Sequence, residues 1–322
     1  MPEKVVEVGG TTYRLACVRG PEMGPLVPLF SKVYNRPDFN LDWLEKKYAC
    51  KYEGVGAFCC LAFTDAGQAV ASLGILPWPI VFGNRVEIAA QLVDGATHGQ
   101  NRHRGLFTRL EEMAREVCDS AGVSFLFGFA HPQVGSYHGL VRVGYKHIDD
   151  LVEYRLPIHT IWMERVARRV GPLHRVYKRH LQRTFRSHLP VDSVLNNSLL
   201  AEGFAATRRD RAFYDYKAFA GNQVLAVDGG RVWLKVRRGL FVGDMEAASE
   251  ANMERTVQAL EGIAVRLGID QILIQPSKDT RLSRFFADRF PPHPSLAVVY
   301  HNLRSQIPAE KLRFTLGDHD NF

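Results

Sequence analysis

The spacing of apolar positions along this chain changes repeatedly between strand-like and helix-like periods. Residues 4–8 and 12–18 alternate around Gly9-Gly10, which predicts a strand pair. Residues 21–34 and 40–48 read as helices, the second with Asn40 as its N-cap. Residues 57–64 and 69–82 are apolar and β-prone, and Asp65-Ala66-Gly67-Gln68 between them signals a hairpin; Pro77 and Pro79 consign the end of the second run to an edge or a bend. Val86, Ile88, Ala90, Leu92 and Ala96 mark a largely buried strand. Leu106, Phe107, Leu110, Met113, Ala114, Val117, Cys118 and Ala121 then recur at helical spacing, the apolar face of an amphipathic helix. Gly122 ends that helix, and residues 123–130 form a buried strand expected to run parallel to the one before the helix. A strand over 151–158 would close this first domain.

A similar order returns after residue 200. Short strands over 224–227, 231–236 and 240–245 precede an amphipathic helix, 251–267, that stops at Gly268; a strand over 269–275, a helix over 280–290 and a strand over 296–303 follow. Between the two halves, residues 161–190 carry Arg165, Arg168, Arg169, Arg175, Lys178, Arg179, Arg183 and Arg186 against one acid, Glu164, with Leu173, Val176, Tyr177, Leu181 and Phe185 among them at helical spacing. Gly171-Pro172 divides that segment into two helices. The expectation is an α/β protein with mixed sheets: an N-terminal domain over 1–158, a basic helical connector over 159–198, and a C-terminal domain over 199–322.

Composition narrows the class. A hydrophobic content of 46% and a charged content of 23% in 322 residues are those of a globular protein with room for a core. No apolar run approaches the roughly 18 residues a membrane helix needs, and Met1-Pro2-Glu3-Lys4 leads into no signal-peptide core. Cys17, Cys50, Cys59, Cys60 and Cys118 contain no CxxC pair and read as reduced core residues, and the 12 histidines show no zinc-type spacing. A cytoplasmic protein without a metal is expected, with a homodimer allowed. The net charge of +7 invites anionic partners, among them nucleotide-bearing small molecules, nucleic acid or, at 161–190, phospholipid.

The chemistry concentrates at Val93-Asp94-Gly95-Ala96-Thr97-His98-Gly99-Gln100-Asn101-Arg102-His103-Arg104-Gly105-Leu106-Phe107. A helix start exposes unpaired amides and the positive end of the dipole, so Arg102, His103 and Arg104 are unfavourable there unless an anion binds. Gly105 permits a close approach to the backbone. Together these residues describe a phosphate cradle. Asp94, on an otherwise apolar strand, is the leading base or amine anchor, because a buried carboxylate needs a partner. Without a bulge it shares a face with His98. His98 and His131 sit at the ends of the two parallel strands, where either can relay a proton. Ser136 and Tyr137 are acid candidates.

Arg102-His103-Arg104-Gly105-Leu106-Phe107 resembles the acyl-CoA pyrophosphate loop of the GNAT (GCN5-related) N-acyltransferases, Gln/Arg-x-x-Gly-x-Gly/Ala. Arg102 and Gly105 match, and Phe107 stands where the pattern has a small residue. The resemblance is specific over 86–145. It implies that the two parallel strands splay to admit the pantetheine arm, that a strand amide meets the oxyanion, and that Thr97, His98 and 102–107 bind acyl-CoA. It also places a general-acid tyrosine four residues before the Gly144-Tyr145 glycine, where this chain has Leu140; Tyr137 lies nearly one turn earlier. The second half resembles a further, degenerate GNAT-like domain: Asp244, Glu246 and Glu250 line the turn before its helix and would repel a pyrophosphate. Arg313-Phe314-Thr315-Leu316-Gly317-Asp318-His319-Asp320 resembles the tail of tandem GNAT-like proteins, some from surface-polysaccharide pathways, and would offer Asp318 and Asp320 to an amine or sugar hydroxyls. The implied reaction is transfer of an acyl group, acetyl or another short chain, from acyl-CoA to a primary amine by direct attack, with a nucleotide-linked amino sugar as the preferred acceptor. The alternatives are a tandem-GNAT-fold transferase that uses aminoacyl-tRNA, and a non-catalytic protein that binds acyl-CoA or nucleic acid.

Overall fold

The computed structural model describes residues 2–35, 39–190, 192 and 194–322. Two compact units emerge, one from Met1–Ile148 with Ala297–Glu310 and one from Asp149–Leu296 with Lys311–Phe322. This division departs from the linear boundaries expected above. The strand Lys146–Pro157, expected to close the first domain, pairs antiparallel with Gln271–Ile274 of the second unit, from Gln271↔Pro157 to Ile274↔Tyr154. Conversely, the strand His293–Asn302 sends Ala297–Asn302 back to pair antiparallel with Phe125–Ala130 of the first. Apolar periodicity marks a segment as a strand; which sheet edge accepts it depends on contacts far apart in sequence. The basic segment 159–198 is part of the second unit and is not a separate body.

The sheet of the first unit takes Glu3–Val8, Thr11–Val18, Phe58–Phe63, Ala69–Phe82 and Arg85–Thr97 as antiparallel neighbours in chain order. Phe125–Ala130 then joins Arg85–Thr97 in parallel. Pro77 and Pro79 lie beyond Ile75, where pairing with Phe58–Phe63 has ended, so that neighbour needs neither missing amide and the strand runs unbroken. Parallel strands require a crossover, and the helix Leu106–Ser120 supplies it, burying Leu106, Leu110, Met113, Ala114 and Cys118. Gly122, at φ 81°, turns the chain out of the helix. The side chain of Asn40 caps the helix Leu41–Lys47 by accepting from the Trp43 amide at 2.9 Å. All five cysteines are buried thiols outside any disulfide.

In the second unit Gln223–Val227, Gly230–Val236 and Leu240–Ala247 form an antiparallel meander. The helix Glu250–Leu267 crosses over to Gln271–Ile274, which pairs in parallel with Leu240–Ala247. Leu240, Val242, Leu260, Ile263, Ile272 and Phe285 lie in its core. The order of the first unit, antiparallel strands, crossover helix and parallel strand, is thus repeated. Among the described residues no helix is long and apolar enough to cross a membrane.

Candidate active site

The site of the first unit begins where two strands part. Parallel pairing runs from Ala89↔Phe125 to Leu92↔Gly128 and stops, although the strands continue to Thr97 and Ala130. A register shift coincides with the parting: Gly74 faces Val93 while Ser72 faces Ala96, so Asp94 and Gly95 make an extra step opposite one residue. Asp94 has φ 51°, a left-handed conformation costly for a non-glycine residue. Its geometry is held by three contacts. Lys47 Nζ donates to Asp94 Oδ1 at 2.8 Å, the Tyr48 hydroxyl donates to Oδ2 at 2.8 Å, and the Ser72 hydroxyl donates to the Asp94 carbonyl at 2.8 Å. The Lys47 side chain is fully buried. This bulge breaks the register that would have put Asp94 and His98 on one face. Both carboxylate oxygens are engaged in bracing the bulge.

The loop that follows joins that strand to the helix. A short 3-10 turn, Gly99–Asn101, leads to Arg102 and His103, both exposed, the latter at φ 62°. Gly105, at φ 73°, is the N-cap of Leu106–Ser120, and no side chain caps that helix start. Its first amides are therefore available to an anion, with the dipole in its favour. Arg102 Nε donates to the Thr97 carbonyl at 3.3 Å, which folds the loop back on the strand end. Arg104 is half-buried, with Nη1 donating to the Thr11 hydroxyl at 3.0 Å and the Tyr13 hydroxyl at 3.1 Å. It fastens the loop to the neighbouring strand, whereas Arg102 is exposed. The Phe107 ring spans from the bulge to the helix Gly135–Arg142: a Cβ on Gly95 would meet it at 3.5 Å, and one on Gly139 at 3.2 Å.

Among the acid–base candidates, Tyr137 lies on that short helix with its hydroxyl 3.2 Å from His147 Nδ1. His131 is exposed just past Phe125–Ala130, its Nδ1 accepting from the Gln133 amide at 3.4 Å. Leu140 is buried core. Lys47, Tyr48 and His147 were not singled out from sequence. Lys47 looks like any cation on an amphipathic helix, and only its burial reveals its role.

The second unit repeats the parting and fills it. Pairing between Leu240–Ala247 and Gln271–Ile274 stops at Val242↔Ile274. The tail enters there: the Ser277 amide donates to the Phe314 carbonyl at 2.8 Å, Pro276 bridges Thr315, and a Cβ on Gly243 would clash with the Phe322 ring. Arg209, fully buried, is paired with Asp244 and lies 2.7 Å from Asp318 Oδ2. Burial alone would lower the Arg209 pKa, but the carboxylates of Asp318 and Asp244 outweigh it and raise it above the ordinary arginine range. Asp318 therefore does not face an amine or sugar hydroxyl; it neutralises an interior charge. Asp320 is also buried, 3.3 Å from His319 Nδ1. The acidic turn is likewise engaged: Asp244 with Arg209, and Glu246 with Arg231 at 2.7 Å. Among the described residues no cluster of three histidine, cysteine or carboxylate groups is arranged for a metal.

No family model matches the sequence, and no curated protein matches it. Solved structures do. A conserved protein of unknown function from Enterococcus faecalis V583, an N-acyltransferase candidate, is 12% identical with TM-score 0.59, over 92% of this chain and 74% of that one. An acetyltransferase candidate from Pyrococcus horikoshii is 15% identical with TM-score 0.55, over 98% and 96%. A tandem GNAT protein of the clavulanic acid pathway is 10% identical with TM-score 0.52, over 90% and 98%. At such identities the likeness is one of fold: this chain shares the fold of these structures, a tandem GNAT protein among them.

Proposed function

We propose that the first unit is an acyl-CoA-dependent N-acyltransferase that passes acetyl or another short acyl group to a primary amine by direct attack. The observation that carries this reading is the parting of Arg85–Thr97 from Phe125–Ala130 beside an uncapped, glycine-led helix start. Arg102, His103 and the first helix amides, Leu106 and Phe107 among them, would hold the coenzyme diphosphate. Arg104, Thr97 and His98 shape the loop that presents them. When bound, the thioester supplies an activated acyl carbon and a thiolate leaving group.

The chain itself must take a proton from the amine and deliver one to the departing sulfur. His131, exposed at the strand end, is assigned the first task and Tyr137, beside His147, the second. Asp94 is assigned a positioning role: it already accepts from Lys47 and Tyr48, and it fixes the bulge from which a strand amide can meet the oxyanion. A nucleotide-linked amino sugar is the first acceptor to screen, as the basic sequence suggests. Calorimetric titration with acetyl-CoA, followed by turnover on an amine panel, tests the proposal. Failure to bind any acyl-CoA refutes it; binding without turnover on any amine leaves a sensor.

A further inference from the structure

Residues 161–186 of the second unit are rich both in arginine and in exposed apolar side chains. The helices Met163–Arg169 and Gly171–Arg186 bury one stripe, including Ala167, Thr184 and Phe185, against their own unit. On these helices and in the two residues before them, Ile161 is 80%, Trp162 56%, Val166 53%, Leu173 46% and Val176 63% exposed. A single water-facing aliphatic residue is ordinary; a run of them within 16 residues is not. Cations surround the run. Arg165 stacks on the Trp162 ring, 4.8 Å from its centroid, and ion-pairs with Asp270 at 2.6 Å. Arg168 pairs with Glu164 at 3.3 Å. Glu164, Arg165, Arg168, Arg169, Arg238 and Gln271 line a pocket of about 530 Å³. Two acidic partners therefore serve four guanidinium groups.

We propose that this surface docks on a bilayer of anionic phospholipid. The exposed side chains would enter the interface between headgroups and acyl chains, and the arginine pocket would receive a lipid phosphate. The combination decides the partner. A polyanion such as RNA would use the arginines and Trp162, but it has nothing to offer Ile161, Val166 and Val176. A second protein chain would cover the aliphatic residues but must also match a basic field. An anionic bilayer satisfies both demands, by apolar burial and by the negative surface potential. No residue of the proposed acyl-transfer site takes part, so the inference stands independently of that reading.

The test uses the full chain and sedimentation with vesicles of phosphatidylcholine alone and of phosphatidylcholine mixed with phosphatidylglycerol. Binding is expected only to the mixed vesicles, and weakening as salt is raised. Ile161→Ser with Trp162→Ser should weaken it about tenfold by removing buried apolar area. Arg168→Glu with Arg169→Glu should weaken it by at least that factor. Both pairs are exposed, and unchanged melting curves and acetyl-CoA titrations would show that the fold survives. Val166→Ser with Val176→Ser is the second apolar test if the first pair disturbs folding. Absence of binding to the mixed vesicles overturns the proposal. So does binding that the apolar substitutions leave unchanged and that RNA competes away, which would identify a polyanion site. A dimer in light scattering that dissociates in the Ile161/Trp162 variant would show that a second copy covers the surface, and would overturn it too.

Discussion

In the first unit Arg85–Thr97 parts from its parallel neighbour beyond Leu92; in the second Leu240–Ala247 does so beyond Val242. The same motif then meets opposite ends. The first opening leads to a helix start with no side-chain cap, a left-handed glycine and exposed Arg102. The second leads to a helix whose first turn is satisfied by Ser249, which accepts from the Asn252 amide at 3.2 Å, and its strands are joined by the chain's own tail. A parted strand pair exposes backbone polar groups that must be satisfied. A ligand can do this, or the protein can do it permanently. The comparison teaches that the fold provides the opening and the adjoining loop decides whether it remains a site.

The comparison can be broken most severely at Arg209. Arg209→Leu strands two interior carboxylates, Asp244 and Asp318, and should cost about 3–5 kcal/mol, read by urea unfolding. A near-neutral result would mean the tail is not the seal described. Next comes the bulge of the first unit. Asp94→Ala removes acceptors from Lys47 and Tyr48 and should destabilise by about 3 kcal/mol. Asp94→Asn, which keeps an oxygen, should lose less stability yet still lower turnover. A stable alanine variant with normal turnover would remove Asp94 from the account.

Smaller and sharper is the contrast between the two loop arginines. Arg102→Glu should weaken acetyl-CoA binding about tenfold, roughly 1.4 kcal/mol, with an unchanged melting temperature. Arg104→Glu should weaken it and also lower the melting temperature, because Arg104 holds Thr11 and Tyr13. Equal melting behaviour of the two variants would contradict the geometry.

The mildest test is a titration. Burial, then the nearby Lys217 and Arg237 charges, push Lys235 from the ordinary value of 10.5 down to about 7. Between those values the unfolded chain holds the proton that the folded one has shed, so stability should rise as pH increases from about 7 toward 10.5. Lys235→Met should flatten that rise, raising the melting temperature by a few degrees at pH 6 and by less at pH 9. A pH slope that the substitution leaves intact would place the titrating group elsewhere.

Local signals in this protein were legible and distant ones were not. Asn40 as a cap, Gly122 and Gly268 as helix ends, and the stripe from Leu106 to Cys118 depend on neighbours within a few residues, and the sequence displays them. The resemblance over 86–145 rests on such a local run. Lys47 and Asp94 are 47 residues apart, and Arg209 and Asp318 are 109 apart. No period or motif links residues so separated, so Asp318 read as a ligand-facing acid when it is an interior counter-charge. The exchange of Lys146–Pro157 and Ala297–Asn302 between units escaped for the same reason. Phe107 illustrates the intermediate case: its departure from the motif was visible, but its reach to Gly95 and Gly139 was not.

The central claim is that one of the two openings is a coenzyme site and the other is sealed, and calorimetric stoichiometry tests it directly. Acetyl-CoA should bind at one site per chain, and Arg102→Glu should weaken that site about tenfold. Two sites per chain, no binding at all, or a single site indifferent to Arg102 would contradict the account.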